Sequence, residues 1–340
     1  MYNPALISVV LPIYNVELYI YDAMQSLLNQ TIQDFEIIVI DDCSTDQSIS
    51  IIEAFNDPRI TVIKKEVNKG LIDSLNIGFK EAKGKYIARM DGDDISLPDR
   101  FKKQLEVLEN NPEIKVCGCW LQRFGNSDQI IKHKEHHDEI VAHLLLSCSM
   151  SMCAVMFNRK ALEEYKFDDN KKHVEDYDFW SRLAWSCKFY NLQEVLYNYR
   201  IHETQVSTIY KSVQVQGDIA IKLFLFKKLN YNIEQFTDDI ITKMLLLNQP
   251  LLIKEFTLFL KWLKELNVLN SRANVYAPNE LEKVLEIIKK TVLFSLYFKN
   301  TSIGITKEWR TKALLKLPIN DVLYILKLKS REIRKTIFKA

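Results

Sequence analysis

Three groups of acidic residues interrupt the chain, and two of them fall where an apolar run ends. Asp41-Asp42-Cys43-Ser44-Thr45-Asp46 follows Phe35 to Ile40, and Asp91-Gly92-Asp93-Asp94 follows Tyr86 to Met90. The third, Glu175-Asp176-Tyr177-Asp178, opens an amphipathic stretch. Carboxylates packed as closely as Asp91, Asp93 and Asp94 repel one another, and their pKa values rise. A hard divalent cation, Mg²⁺ or Mn²⁺, removes that penalty and, held by few protein groups, leaves positions open for a diphosphate. An aspartate in the first group can accept a hydrogen bond from the imide N–H of a uracil. The third group can supply a general base to an incoming hydroxyl. Each group also has a plain structural reading. These are a solvated loop before Pro98, a helix N-cap at Ser44 to Asp46, and acidic residues placed favourably at a helix start. Taken singly, each is ambiguous; their order and spacing decide.

The elements that must carry these groups alternate. Leu6 to Pro12, Phe35 to Ile40, Ile60 to Ile63 and Tyr86 to Met90 read as short buried strands. Helical spacing runs from Val16 to Asn29, after Asp46 to about Phe55, and from Gly70 to Ala82. That alternation predicts a parallel, doubly wound sheet, with ligands at the carboxyl ends of its strands. A helix from Pro98 to about Asn110 follows, with strands at Ile114 to Phe124, Val155 to Phe157 and Leu192 to Arg200, and a helix at Asp176 to Trp185. After about Val206 the pattern becomes leucine-rich and helical, over 211–230, 235–247, 251–267, 279–298 and 319–338. The expected organisation is a catalytic domain over 1–207 and a helical region over 208–340.

Composition narrows the class. With 47% hydrophobic and 26% charged residues in 340, the chain can bury a large core. The N-terminus lacks the pattern of a secretory signal, and no run reaches the roughly 18 apolar residues of a spanning helix. Six cysteines without a C-x-x-C pair read as free thiols. His133, His136, His137 and His143 lack a convincing ligand set and read as a solvated helix entry. Charge is uneven: from Ile305 to Ala340 ten Lys/Arg stand against three Asp/Glu. That basic tail, with its leucines, could lie on an anionic membrane surface or pack as a helix with a solvated basic face. No nucleic-acid-reading motif accompanies it.

Taken in order, the motifs resemble the family 2 glycosyltransferases of GT-A fold, similar to bacterial polysaccharide-assembly enzymes. The resemblance rests on Ser8-Val9-Val10-Leu11-Pro12-Ile13-Tyr14-Asn15, the Asp41 group, Asn68-Lys69-Gly70 with Asn76 and Gly78, Gly84-Lys85-Tyr86-Ile87, Asp91-Gly92-Asp93-Asp94, Glu175-Asp176 and Tyr199-Arg200-Ile201-His202. It spans roughly 6–207. It implies a Rossmann-like nucleotide-diphospho-sugar transferase domain followed by the all-helical extension. It places Pro12, Tyr14, Asn15, Asp41, Asn68, Lys69, Gly70 and Asp91 around the nucleotide. Asp93, Asp91 and His202 would hold Mn²⁺ or Mg²⁺, and Asp176, with Glu175 as fallback, would be the base of an inverting transfer. The implied donor is a nucleotide-sugar with UDP favoured. The implied acceptor is a saccharide or lipid-linked oligosaccharide. The implied place is the cytoplasm or, peripherally, the inner face of the plasma membrane.

Two departures stand out. Leu75 occupies a position where relatives often carry arginine, so Lys69 or Arg100 is expected to supply a diphosphate contact instead. Ser149-Met150-Ser151-Met152-Cys153 replaces a segment that often holds a histidine facing the acceptor. Trp180 could pack beneath an acceptor sugar or in the core. Two other functions stay open: a nucleotidyltransferase, which should carry a Gly-rich, Arg-containing loop after the first strand, and a non-catalytic sugar- or nucleotide-binding scaffold.

Overall fold

The structure is a computed structural model. It describes residues 4–202, 211–299 and 305–337, with side chains for all of these except 211–212 and 330–337. The chain separates into two compact units, Met1–Ile221 and Lys222–Ala340. The expected boundary at 207/208 lies outside the described residues.

The first unit is built on one sheet. Its strands are β1 (Ile7–Ile13), β2 (Phe35–Asp41), β3 (Ile60–Lys64), β4 (Tyr86–Arg89), β5 (Ile95–Ser96), β6 (Ile114–Gly125), β7 (Ile130–Ile131), β8 (Met156–Asn158) and β9 (Lys188–Ile201). They lie in the order β3-β2-β1-β4-β8-β6-β9-β5, with β7 paired to β6. The helices of this part are α1 (Ile20–Leu28), α2 (Ser48–Glu53), α3 (Leu71–Glu81), α4 (Arg100–Asn110), α5 (His137–His143) and α6 (Glu175–Leu183). Strands β3, β2, β1 and β4 are mutually parallel, as the alternating pattern predicts. The rest corrects that expectation. β8 runs antiparallel to both β4 and β6, β9 is parallel to β6, and β5 is antiparallel to β9. The sheet is therefore mixed.

β1 is buried at every residue, which its run of Ile, Val and Leu requires of a central strand. Pro12 is tolerated there for a geometric reason. Val10 accepts from Met90 N and so points toward β4, and Pro12, two residues on, points the same way. The β1–β4 pairing stops at Val10, so the donor that proline lacks is not needed. α3 lies close on this strand: a Cβ on Gly78 would sit 2.4 Å from Val10 Cγ1 and 2.8 Å from Ile40 Cδ1. Only glycine lets the helix approach that far.

The segment after β4 is pinned from below by a buried glutamine. Gln30 Nε2 donates to Ser96 Oγ (3.0 Å) and Leu97 O (2.8 Å), while its Oε1 accepts from Phe101 N (3.1 Å). β5 then pairs across the chain with β9, Ile95 opposite Asn198. Gln30 and β5 together fix the turn that carries Asp91 to Asp94.

A further helix, α7 (Lys211–Lys227), spans the division between the two units. The second unit is helical: α8 (Asp238–Leu246), α9 (Ile253–Ala273), α10 (Pro278–Phe298), α11 (Lys307–Leu314) and α12 (Ile319–Ile337). Its core is centred on Trp262, ringed by Phe226, Tyr231 and Phe259 at 4.7–5.8 Å between centroids. Trp309 Nε1 donates to Leu251 O at 2.7 Å and ties α11 in. No helix among the described residues is long and apolar enough to cross a membrane.

Candidate active site

The carboxyl ends of β1, β2 and β4 each run into a loop, and the first two loops are laced together. Asn15, in a left-handed conformation (φ 50°), donates from its N–H to Ser44 Oγ, and its Oδ1 accepts from Thr45 N. Val16 N–H donates to Ser48 Oγ, and Asp46 accepts from Glu17 N and Ser48 N. The expected N-cap at Ser44 to Asp46 is displaced by one residue: Gln47 is the cap position, without a side-chain cap bond, and Asp46 before it accepts from the first helical amide. The result is a rigid rim with Tyr14 projecting from it, 49% exposed. Asp41 is buried beneath the rim, with Oδ1 accepting from Ser44 N at 3.0 Å.

Its neighbour holds the next loop, a role the sequence did not reveal. Asp42 accepts from Lys69 N (2.8 Å) and Gly70 N (2.7 Å) and pairs with Lys65 Nζ at 2.6 Å. Gly70 has φ +88°, a conformation that disfavours any side chain. Asn68 and Lys69 are therefore presented outward, both exposed, on a loop clamped from below. The clue was available only as a second aspartate at a strand end, with no means of choosing between Asp41 and Asp42.

The loop after β4 gathers the remaining charge. Asp91 Oδ1 lies 2.6 Å from Arg89 Nη2, and Asp91 N–H donates to the Tyr197 hydroxyl. Asp93 Oδ2 lies 3.0 Å from His202 Nε2, both side chains about one-fifth exposed. Arg200 braces this turn from the closing strand: its N–H donates to Asp94 Oδ1 (2.8 Å) and its Nε–H to Asp93 O (2.7 Å). Its guanidinium also approaches Asp22 at 3.8 Å, so it pairs with an acidic neighbour. Asp94 is wholly buried. Burial first, then repulsion from Asp93 and Asp91, holds its carboxyl well above the usual range. Burial also raises Asp91, against the opposing pull of Arg89 and with a further push from Asp93.

Two sets of groups here bear on a metal. Asp91, Asp94 and Cys153 bring ligand atoms within 4.8 Å of one another. However, burial holds the Cys153 thiol well above its ordinary value and so protonated, and a protonated soft donor suits neither Mg²⁺ nor Mn²⁺. Asp93 and His202 are partly exposed, paired across 3.0 Å, and adjoin Asp91 in the same turn, itself paired with Arg89 at 2.6 Å. That donor set, carboxylate and imidazole open to solvent on one side, fits a divalent cation.

The third acidic group opens α6. Asp176 Oδ1 accepts from Tyr177 N at 2.7 Å, and Cys148 Sγ lies 3.9 Å from Oδ2. Burial raises the Asp176 carboxyl, and it pushes Glu175, further raised by Asp176, up to about 7. The Arg89 charge acts on both and on Asp91, so one buried guanidinium links the second and third acidic groups. An arginine in an otherwise apolar buried strand was the sequence signal for this link.

Other expectations are corrected. Arg100 cannot touch a diphosphate: it is fully buried between the Phe101 and Tyr197 rings and donates to Arg89 O at 3.0 Å. Leu75 is also fully buried, which leaves Lys69 as the exposed cation on the Asn68–Gly70 loop. Trp180 is core, stacked on Phe157 with centroids 5.7 Å apart. The histidines are less solvated than expected. His133 bonds Ser151 Oγ at 2.8 Å, and burial lowers it to about 4; His143 bonds Ser149 Oγ at 3.1 Å.

This arrangement, a sheet with acidic loops at the carboxyl ends of its parallel strands, is of the kind that binds nucleotides. The family model described as Glycosyl transferase family 2 matches residues 8–180, and the chain belongs to that family. An uncharacterized glycosyltransferase of Haemophilus influenzae is 35% identical over 237 residues, covering 65% of this chain and 73% of that protein. Among solved structures, S. aureus TarS 1–349 in complex with UDP-GlcNAc aligns with a TM-score of 0.57 at 18% identity, over 84% of this chain and 92% of that one. A mannosyltransferase of Pyrobaculum calidifontis in complex with GDP-Man and Mn²⁺ aligns with a TM-score of 0.50 at 14% identity, over 97% and 88%. The fold is GT-A, with a helical C-terminal region, and the protein is a glycosyltransferase.

Proposed function

We propose that this glycosyltransferase moves a sugar, with inversion, from a UDP-sugar to a saccharide or lipid-linked acceptor in surface polysaccharide assembly. It would act in the cytoplasm, peripherally at the inner face of the plasma membrane. The observation that carries the reading is the Asp93–His202 pair at 3.0 Å in the turn with Asp91, whose partner Arg89 also acts electrostatically on Glu175 and Asp176. Nucleotide-sugars bound to structures of the same fold support the donor class.

In this proposal Asp41 accepts from the base imide. Tyr14, Asn15 and Pro12 form the wall beside it, and Asn68, Lys69 and Gly70 lie along the diphosphate. Asp93 and His202, with Asp91 beside them, hold Mn²⁺ or Mg²⁺, and the imidazole favours Mn²⁺. Such an ion stabilises a diphosphate leaving group as a Lewis acid. Asp176 takes the proton of the acceptor hydroxyl on the opposite face of the sugar, since inversion needs one base and no covalent intermediate. Its raised pKa makes it a better proton acceptor than an ordinary aspartate. The Arg89 charge opposes that rise.

Calorimetric titration with UDP, with and without Mn²⁺, tests the reading on the wild type and on Asp93→Ala. UDP binding that requires Mn²⁺ and weakens at least about tenfold in the variant supports it. Absence of nucleotide binding under every metal condition overturns it.

A further inference from the structure

In the second unit, α12 buries one side and leaves the other bare. Asp321 and Ile325 face inward, 4% and 5% exposed, and Asp321 is held by Lys289 Nζ at 2.9 Å. Tyr324 lies under the Lys290 ammonium, 5.5 Å from the ring centroid. On the outer side Ile319 is 70% exposed and Leu323 and Leu326 are each 54% exposed. Leu315, just past the end of α11, is 81% exposed. Steps of four and three residues put Ile319, Leu323 and Leu326 along one line of α12, and Leu315 lies exposed in the turn before it. In sequence, Ile333 and Ile337 continue the same spacing. Single exposed leucines are ordinary, but an aligned series is a contact surface.

Charge identifies the occupant. From Leu315 to Ala340 there are seven Lys/Arg and two Asp/Glu, and one of those acids, Asp321, is already neutralised by Lys289. Lys316, Lys327 and Lys329 are exposed beside the leucines. A second copy docking through the same stripe would bring these like charges together. A surface that is apolar at depth and anionic at its face satisfies both features at once. We infer that the outer face of α12, with Leu315, docks on an anionic phospholipid surface. The helix lies in the interface plane, its leucines among the upper acyl chains and its lysines at the headgroups.

This inference gives a surface to the peripheral placement proposed above, and its test is separable from the sugar chemistry. The full chain is sedimented with vesicles of phosphatidylcholine alone and of phosphatidylcholine with phosphatidylglycerol. The wild type should bind only the anionic vesicles. Lys327→Glu with Lys329→Glu should weaken binding by at least about 25-fold, at roughly fivefold for each cation removed. Leu323→Ser with Leu326→Ser should weaken it about tenfold or more. Unchanged far-UV circular dichroism and UDP titration show that the variants are folded. Equal binding to both vesicle types, no binding to either, or a dimer in sedimentation equilibrium that the leucine changes dissolve would overturn the inference. Vesicle binding without UDP binding would instead count against the transferase proposal alone.

Discussion

Asp42 is the sharpest place to test how the site is assembled, because a single carboxylate holds two loops and an ion pair. Its oxygens accept from Lys69 N at 2.8 Å and Gly70 N at 2.7 Å and contact Lys65 at 2.6 Å, with the Asp42 and Lys65 side chains each 7% exposed. Asp42→Ala removes both acceptors and leaves Lys65 with Asp73 at 2.7 Å and the Ser74 hydroxyl at 3.1 Å. A hydrogen bond to a charged group contributes about 1.5–3 kcal/mol, which puts the two amides at roughly 3–6 kcal/mol. Water can reach the exposed Lys69 side of the loop, and Lys65 keeps Asp73 and Ser74 as partners, so the expected loss lies near the lower end, about 3 kcal/mol. Asp42→Asn retains an acceptor oxygen and should lose about half as much. Urea unfolding of the wild type and both variants measures this directly, with an unchanged slope showing that the comparison is of stability alone. UDP affinity should fall in the same order, because the loop that Asp42 clamps carries Lys69. A loss below about 1 kcal/mol for Asp42→Ala, or equal losses for the two variants, would refute the reasoning.

Other expectations follow from the same geometry. Gly78→Ala should lose about 1–3 kcal/mol by forcing α3 away from Val10 and Ile40, read as a lower urea midpoint. Glu175 has a folded-state pKa raised to about 7, so the folded protein binds its proton more tightly than the unfolded chain does. That contribution to stability is present in acid and is lost as pH rises from about 4 to about 7. Glu175→Gln should therefore gain stability relative to wild type across that window in thermal unfolding at stepped pH. Arg89→Met removes the positive charge acting on Asp91, Glu175 and Asp176, and should shift the acid limb of any pH–rate profile upward.

The first four strands and their helices were legible because each is local. Phe35 to Ile40 is a continuous apolar run, and β2 ends one residue beyond it, at Asp41. Elements created by distant pairing were not. β5 is two residues long and exists because Ile95 meets Asn198, about 100 residues away, which no local pattern encodes. β8 was legible as a strand at Val155 to Phe157, but its antiparallel direction depends on how the chain re-enters between β4 and β6. In the site, residue types indicated the chemistry, but burial decided which residue could do it. Arg100 and Trp180 carry groups suited to ligands, yet both are sealed inside. Asp41 and Asp42 are identical in type, and only the Lys69 and Gly70 amides distinguish their positions.

The central claim is that Asp176 removes the acceptor proton while a separate set of groups holds the donor. The most direct measurement is sugar transfer, followed by nuclear magnetic resonance, with Asp176→Asn compared to wild type on the UDP-sugar that binds best. The account predicts a fall in turnover of about 100-fold or more, with UDP affinity unchanged and an inverted anomeric product from the wild type. Turnover within a few-fold of wild type in Asp176→Asn, or a product of retained configuration, would contradict it.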